Sequence, residues 1–275
     1  MLLPYTLLLI AMLSIQLGAG LAKQLFPMAG AAGTTSLRLF FAALILILVW
    51  KPWRHKFSRA EIKNLFIYGT SLGLMNLTFY LALKRIPLGI AVALEFLGPL
   101  AVAIFSSKRT IDYLWAILAM VGIFLIFPSA DLNQAIDYLG VFFAVLAGLF
   151  WAFYIIFGQR AGTDLHGGIA SCMGMFFALI VALPFGLIID GEKLLNPQIL
   201  PMAVAVAILS SALPYSLEMY VLKRIPSKTF GILMSAEPAI ASLVGLIFLS
   251  EALTSLQWTA ILSIIIASIG SSLSR

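Results

Sequence analysis

Three acidic residues, Glu95, Glu218 and Glu237, lie inside long apolar stretches of this 275-residue chain. A charge at the bilayer centre costs about 2.5 to 3.5 kcal/mol on insertion scales, so ionisable residues inside a membrane tend to face a cavity and to have a function. Protonation neutralises such a carboxylate and removes much of its desolvation cost. The pattern therefore predicts that these glutamates couple proton movement to conformation. The alternative is a carboxylate bonded to a neighbouring helix or, for Glu218, a side chain that extends to the interface beside Lys223.

Two cations, Lys23 and Arg38, flank the first predicted outer loop and are candidate substrate ligands. A guanidinium binds a carboxylate through two parallel hydrogen bonds, so such a cation can pair with a glutamate or with the carboxylate of a substrate. The alternative, above all for Lys23, is a side chain that extends from a helix end to the membrane interface.

Polar and aromatic side chains inside otherwise apolar stretches complete the predicted substrate site. Hydroxyl and amide groups can satisfy the ammonium and carboxylate of an amino acid, and an aromatic face can hold a cation. Each of these side chains can instead be a packing contact, because polar residues also join membrane helices. The predicted substrate ligands of this kind are Gln16, Asn76, Tyr80, Trp151, Tyr154, Tyr215 and Ser235.

The composition indicates how these residues are positioned. The chain is 62% hydrophobic and 10% charged, with a mean hydropathy of +1.09, whereas a soluble domain carries about 25% charge. The net charge of +6 does not indicate nucleic-acid binding, because the basic residues lie mostly in short gaps between apolar stretches. A membrane span takes roughly 17 to 25 residues. Ten transmembrane helices are predicted at 4–22, 33–50, 64–83, 86–106, 111–128, 138–158, 168–189, 199–220, 229–249 and 254–273.

An internal repeat divides the chain into two units of five helices, 4–128 and 138–273. FYLALKRIPLGIAVALEFLGPLAV at 79–102 matches EMYVLKRIPSKTFGILMSAEPAIA at 218–241. Five is an odd number, so two consecutive copies must enter the membrane with opposite orientation. With both termini in the cytoplasm, twelve Lys and Arg residues fall on the inner side and four in the outer loops, as the positive-inside rule favours.

The same alignment places Pro99 opposite Pro238. A proline removes an amide hydrogen and its ring clashes with the preceding turn, so each is predicted to interrupt its helix. Paired interruptions in corresponding helices indicate a binding site near the bilayer midplane. Glu95 lies close to Pro99 and Glu237 lies next to Pro238 in the sequence, which strengthens this interpretation.

No enzyme, metal or cofactor motif accompanies these residues. The one cysteine, Cys172, and the two histidines, His55 and His166, have no metal-ligand spacing. A phosphate-binding glycine loop, an HExxH motif and a GxSxG motif are all missing from the sequence. We therefore predict a transporter without a cofactor. A passive channel or a structural membrane subunit is an alternative, but it explains central glutamates with inverted symmetry less well.

Four segments resemble one known family. They are SIQLGAGLAKQLFP at 14–27, PLGIAVALEFLGPLAVAIFSSKR at 87–109, GQRAG at 158–162 and SSALPYSLEMYVLKRIPSKTFGILMSAEPA at 210–239. Through them the chain resembles the EamA family of the drug/metabolite transporter superfamily over essentially its whole length. The likeness is greatest to members that export threonine and homoserine.

The resemblance implies ten helices in a bacterial inner membrane with both termini cytoplasmic. It also implies export of small neutral or hydroxylated amino acids, in exchange for protons, by a monomer or weak dimer in the lipid bilayer. Export of another metabolite or of a drug-like amino-acid analogue is the alternative. The matching motifs carry Lys23, Glu95, Pro99, Glu218 and Glu237 as candidate functional positions.

Overall fold

The computed structural model describes residues 3–105, 110–126, 137–162, 165, 167–222, 224–225, 230 and 233–273. Within these ranges the chain is helical and contains no strand, so the all-helical prediction is confirmed for them. Parts of three predicted spans lie outside the described residues: 106 in the span 86–106, 127–128 in the span 111–128, and 229 and 231–232 in the span 229–249. The predicted loop cations that lie outside them are Lys108, Arg109, Lys223, Lys228 and Arg275.

Twelve α-helices are described. The first half contains α1 (Leu3–Ala29), α2 (Ala31–Trp50), α3 (Arg59–Leu83), α4 (Leu88–Glu95), α5 (Leu97–Phe105) and α6 (Ile111–Ile126). The second half contains α7 (Tyr138–Gly162), α8 (Gly167–Leu194), α9 (Leu200–Ala207), α10 (Leu213–Leu222), α11 (Glu237–Leu249) and α12 (Ser255–Leu273). One π-helical turn, Ile208–Ala212, joins α9 to α10 without a loop.

Six of the described helical segments are long and apolar enough to cross a membrane. They are Leu3–Ala29, Ala31–Trp50, Arg59–Leu83, Tyr138–Gly158, Gly167–Leu194 and Pro197–Glu218. Four shorter apolar helices accompany them. Large apolar side chains such as Leu48, Val49 and Ile188 are exposed on the outside of the helices, where a lipid environment suits them. The chain is therefore a multi-pass helical membrane protein.

Each predicted proline interruption lies in the first turn of a helix. Pro99 is the third residue of α5, and Pro238 is the second residue of α11. A proline is tolerated there because the first amide groups of a helix have no partner within the helix. The predicted span 86–106 is accordingly divided at Phe96 into α4 and α5.

Two facing glycines allow α5 and α7 to approach each other closely. A Cβ at Gly98 would collide with the carbonyl of Gly148 in α7, and a Cβ at Gly148 would lie 2.7 Å from the carbonyl oxygen of Glu95. Pro99 has no amide hydrogen for that Glu95 carbonyl. The two glycines thus bring α7 against the broken backbone beside Glu95.

A polar contact fixes the start of α7. Asp137 accepts hydrogen bonds from the amides of Leu139 and Gly140, and its Oδ2 lies 2.8 Å from Nη1 of Arg85. The hydrogen bond from Arg85 is the main cause of a lowered pKa for Asp137, so the carboxylate stays ionised at neutral pH. The turn at 84–87 between α3 and α4 is thereby tied to α7, the first helix of the second half.

Candidate functional site

A cavity of about 110 Å³ lies between the helices, which is ample compared with the roughly 10 to 15 Å³ that a single water needs. Its walls come from α1, α2, α3, α4, α7, the π turn, α10, α11 and the residues just before α11. The polar and aromatic lining residues are Gln16, Arg38, Asn76, Phe79, Glu95, Trp151, Tyr154, Ser210, Tyr215, Glu218 and Glu237. The aliphatic ones are Ile15, Ala19, Met75, Val92 and Met234.

The three predicted glutamates meet at this cavity. Glu95 is the last residue of α4, Glu237 is the first residue of α11, and Glu218 belongs to α10. Glu95 and Glu237 are buried, and within the described ranges neither takes part in a hydrogen bond or an ion pair. Oε1 of Glu218 is buried and also has no partner. The carboxylates are therefore available to a proton or to a cationic ligand group.

Arg38 supplies the positive charge of the cavity wall. Its Nε donates to Oγ of Ser211 at 3.0 Å, Nη1 to the hydroxyl of Tyr80 at 3.1 Å, and Nη2 to the carbonyl of Ser210 at 2.9 Å. Its guanidinium carbon lies 5.3 Å from the centre of the Tyr80 ring. A guanidinium has five N–H groups, so two remain for a ligand.

The π turn provides backbone acceptors for this arrangement. Pro214 has no amide hydrogen for the Ser210 carbonyl, which Arg38 binds instead. The amide of Leu213 donates to the carbonyl of Ile208, one residue further back than in an α-helix. The carbonyl of Leu209, which this amide would bind in an α-helix, accepts a 2.7 Å hydrogen bond from Oγ of Ser14. Two carbonyls released by the irregular helix are thus bound by α1 and α2.

Aromatic rings form one side of the cavity. Trp151 meets Phe96 edge to face, with ring centres 5.5 Å apart, and Tyr154 stacks on Tyr68 at 5.0 Å. Packed in this way, the rings are held rigidly and present apolar faces that can attract a cation.

The other predicted ligands contact protein groups away from the cavity lining. Tyr80 does not line the cavity but accepts a hydrogen bond from Arg38, which does. The hydroxyl of Ser235 lies 2.8 Å from that of Ser268. Asn76 lines the cavity, although its amide nitrogen donates to Leu72 of its own helix. Pro99 and Pro238 act on the backbone near the glutamates and do not line the cavity.

Lys23 lies one turn beyond the cavity residue Ala19 on α1. Its Nζ is 2.6 Å from Oε1 of Glu251 and donates to the carbonyl of Ile86 at 2.8 Å. The other oxygen of Glu251 accepts from the amide of Leu88 at the start of α4. Glu251 was not predicted to have a function, because its sequence position marks only a helix end.

Ser210 and Ser211 were also missed by sequence reasoning. The signal that marks them is Pro214, which leaves a carbonyl without a partner four residues earlier. The described residues hold no group of three or more His, Cys, Asp or Glu that is arranged for a metal ion, and this includes the three glutamates.

A charged cavity between the helices of a multi-pass membrane protein is typical of membrane transporters. The sequence profile of the EamA-like transporter family matches residues 138–273. The threonine/homoserine exporter RhtA of Escherichia coli (strain K12) is 51% identical over 271 residues, which cover 98% of this chain and 92% of that protein. The chain therefore belongs to the EamA-like transporter family, and the predictions of a transporter and of no enzyme are confirmed.

Other relatives agree with this assignment. RhtA of Salmonella typhimurium (strain LT2) is also 51% identical over 271 residues. The uncharacterized transporter YwfM of Bacillus subtilis (strain 168) is 26% identical over 190 residues, which cover 66% of this chain and 64% of that protein. A solved crystal structure covers 98% of this chain and 97% of its own, with 16% sequence identity and a TM-score of 0.59, so the fold is shared.

Proposed function

We propose that this chain exports small amino acids such as threonine and homoserine across a bacterial inner membrane, in exchange for protons, by alternating access. The proposal is carried by one observation: acidic and basic side chains line the same cavity. Glu95, Glu218 and Glu237 face a space that Arg38 also lines. The substrates are those in the name of RhtA, which is 51% identical over nearly the whole chain.

Arg38 and the glutamates suit the two charged groups of an amino acid. The two free N–H groups of Arg38 bind the substrate carboxylate, while Glu95 and Glu237 bind the ammonium beside the faces of Trp151 and Tyr154. A protonated glutamate no longer attracts an ammonium. Proton and substrate therefore compete for the same carboxylates, and this competition is the physical basis of an exchange. Tyr80 has a positioning role, because it holds Arg38.

Ten transmembrane helices in two inverted repeats, 4–128 and 138–273, remain part of the proposal. The alignment that pairs Pro99 with Pro238 also pairs Asn76 with Tyr215, Phe79 with Glu218 and Glu95 with Met234, and all six of these residues line the cavity.

The helix packing supports the same relation. Helix α2 packs on α8 and α6 packs on α12, so corresponding helices of the two units contact each other. Helix α3 packs on α7, and their counterparts in the other unit, α10 and α1, also pack together. A two-fold relation in the membrane plane predicts these pairs. The charge distribution supports cytoplasmic termini, and the protein is proposed to act as a monomer or weak dimer in the lipid bilayer.

Purified protein in liposomes tests the proposed function. Liposomes loaded with labelled threonine or homoserine should release them faster when a pH gradient is imposed, and protein-free liposomes should not. If no amino acid moves in response to the gradient, proton-coupled amino-acid export is rejected. A competition panel separates amino acids from other metabolites, since an effective non-amino-acid competitor would assign the site to a different cargo.

A further inference from the structure

Three oxygen atoms of residues that line the cavity are buried without a hydrogen-bond partner: Oε1 of Gln16, Oγ of Ser210 and Oε1 of Glu218. Gln16 and Ser210 are each only 2% exposed. Nearly all buried polar atoms in folded proteins have a partner, so a group of unpartnered oxygens around one cavity indicates a ligand that supplies the missing bonds.

The chemistry of these oxygens restricts the missing partner. An amide oxygen and an ionised carboxylate oxygen only accept hydrogen bonds, so the ligand must donate to them. The ammonium of an amino acid supplies N–H donors for the carboxylates. The amide oxygen of Gln16 is uncharged and suits an uncharged O–H donor, and the Ser210 hydroxyl, which both donates and accepts, can complete the contact.

Gln16 and Ser210 line the same cavity as Arg38, and hydrogen bonds fix the backbone around Ser210. Ser14 of α1 binds the carbonyl of Leu209, and Arg38 binds the carbonyl of Ser210. Gly18 allows the close approach of α1, because a Cβ at this position would collide with Oγ of Ser210. Ser210 therefore lies beside Arg38, the proposed carboxylate ligand, and Gln16 lines the same cavity from α1.

We propose that Gln16 and Ser210 form a subsite for the side-chain hydroxyl of the substrate and select hydroxylated amino acids over analogues that lack an O–H donor. The inference rests on the proposed function, amino-acid export, and adds its selectivity. Threonine and homoserine are isomers whose hydroxyl groups differ in position by one carbon. The flexible side chain of Gln16 can follow this difference.

An analogue series with the wild-type protein tests the subsite. Threonine is compared with valine, which has a methyl group in place of the hydroxyl, and with O-methylthreonine, which keeps the oxygen but has no O–H. Binding to the purified protein and efflux from liposomes should both favour threonine over either analogue by about 10- to 100-fold, the range expected when a buried acceptor is left unpartnered. Equal affinities for threonine and valine would overturn the subsite.

Two variants test whether Gln16 and Ser210 cause the preference for threonine over valine. Gln16→Leu should lower the ratio of threonine to valine affinity toward one, and Ser210→Ala should lower it less. Thr70→Val is the matched control, because its Oγ1 is also buried without a partner but Thr70 does not line the cavity, so the ratio should stay at the wild-type value. Wild-type selectivity in both Gln16→Leu and Ser210→Ala would overturn the assignment.

Different results would reject amino-acid export and the hydroxyl subsite. If the wild-type protein neither binds nor moves any amino acid, the proposed function is rejected together with the subsite. If it moves threonine and valine equally well, amino-acid export stands and only the hydroxyl subsite is rejected. The wild-type analogue series gives this decision even if Gln16→Leu does not fold.

Discussion

Arg38 shows how a single residue makes a charged cavity possible inside a membrane protein. Its buried guanidinium has no described carboxylate within ion-pair distance, and instead it donates to a tyrosine, a serine and a backbone carbonyl. Such bonds replace part of the lost hydration without neutralising the charge. The cavity therefore keeps a positive group and three carboxylates that are free to bind a ligand with both signs of charge.

Glu95→Gln tests the proton role of one carboxylate. Glutamine has nearly the same shape, but it can neither exchange a proton nor carry the charge that attracts the ammonium. Substrate binding should therefore weaken, and the transport that remains through Glu237 should be uncoupled from protons at this site. Efflux from liposomes should lose its stimulation by a pH gradient, with a ratio of stimulated to unstimulated rate of about one. Glu61→Gln at the exposed start of α3 is the control and should keep the wild-type ratio. A wild-type ratio in Glu95→Gln would remove Glu95 from the mechanism.

At the scale of helices, hydropathy predicts where apolar segments lie but not where their hydrogen bonding changes. The stretch 199–220 is continuously apolar, yet the chain forms a π turn at Ile208–Ala212 within it. Pro214 contributes by withholding an amide hydrogen, but a proline does not specify whether a helix bends, ends or widens. That choice depends on the packing of α1 and α2, whose side chains bind the released carbonyls.

The site was predictable as a set of polar residues but not as a set of contacts. Glu95, Glu218, Glu237, Gln16 and Arg38 were identified because polar groups are costly in apolar helices. Rotation of each helix then decides which of them face the cavity, and tertiary packing sets this rotation. Ser235 consequently contacts Ser268, and Lys23 contacts Glu251, a residue far away in the sequence.

Pro214→Ala tests the function of the π turn. The new amide can bond to the Ser210 carbonyl, so the segment should rewind toward an α-helix and rotate Tyr215 and Glu218 by roughly the 100° of one residue. Transport should fall at least about tenfold, while the thermal midpoint should not fall, because the new amide can form a backbone hydrogen bond that a proline cannot form.

Pro184→Ala is the matched control for this change. Pro184 lies inside α8, which contributes no residue to the cavity lining, so its replacement should leave transport near the wild-type rate. Wild-type transport in Pro214→Ala would show that the irregular turn is not needed to present Tyr215 and Glu218.

At the scale of the whole molecule, Lys23 and Glu251 join the two halves of the chain at one end of the cavity. Their contact includes the carbonyl of Ile86 and the amide of Leu88, so α1, the turn between α3 and α4, and the segment after α11 meet there. Ala19 and Val92 line the cavity one turn away on α1 and α4. If the halves rock against each other during transport, these groups must separate whenever this end opens.

A reversible cross-link tests whether this contact must open. Lys23→Cys and Glu251→Cys are introduced together in a Cys172→Ala background, since Cys172 is the only cysteine of the chain. A short bifunctional thiol reagent should then reduce transport to less than about a tenth, and a reductant should restore it, because alternating access needs both ends to open in turn. Each single-cysteine variant, treated in the same way, should keep most of its activity. If the cross-linked double variant transports at the rate of its reduced form, this end of the cavity stays closed throughout the cycle. The substrate must then enter and leave the cavity at other places.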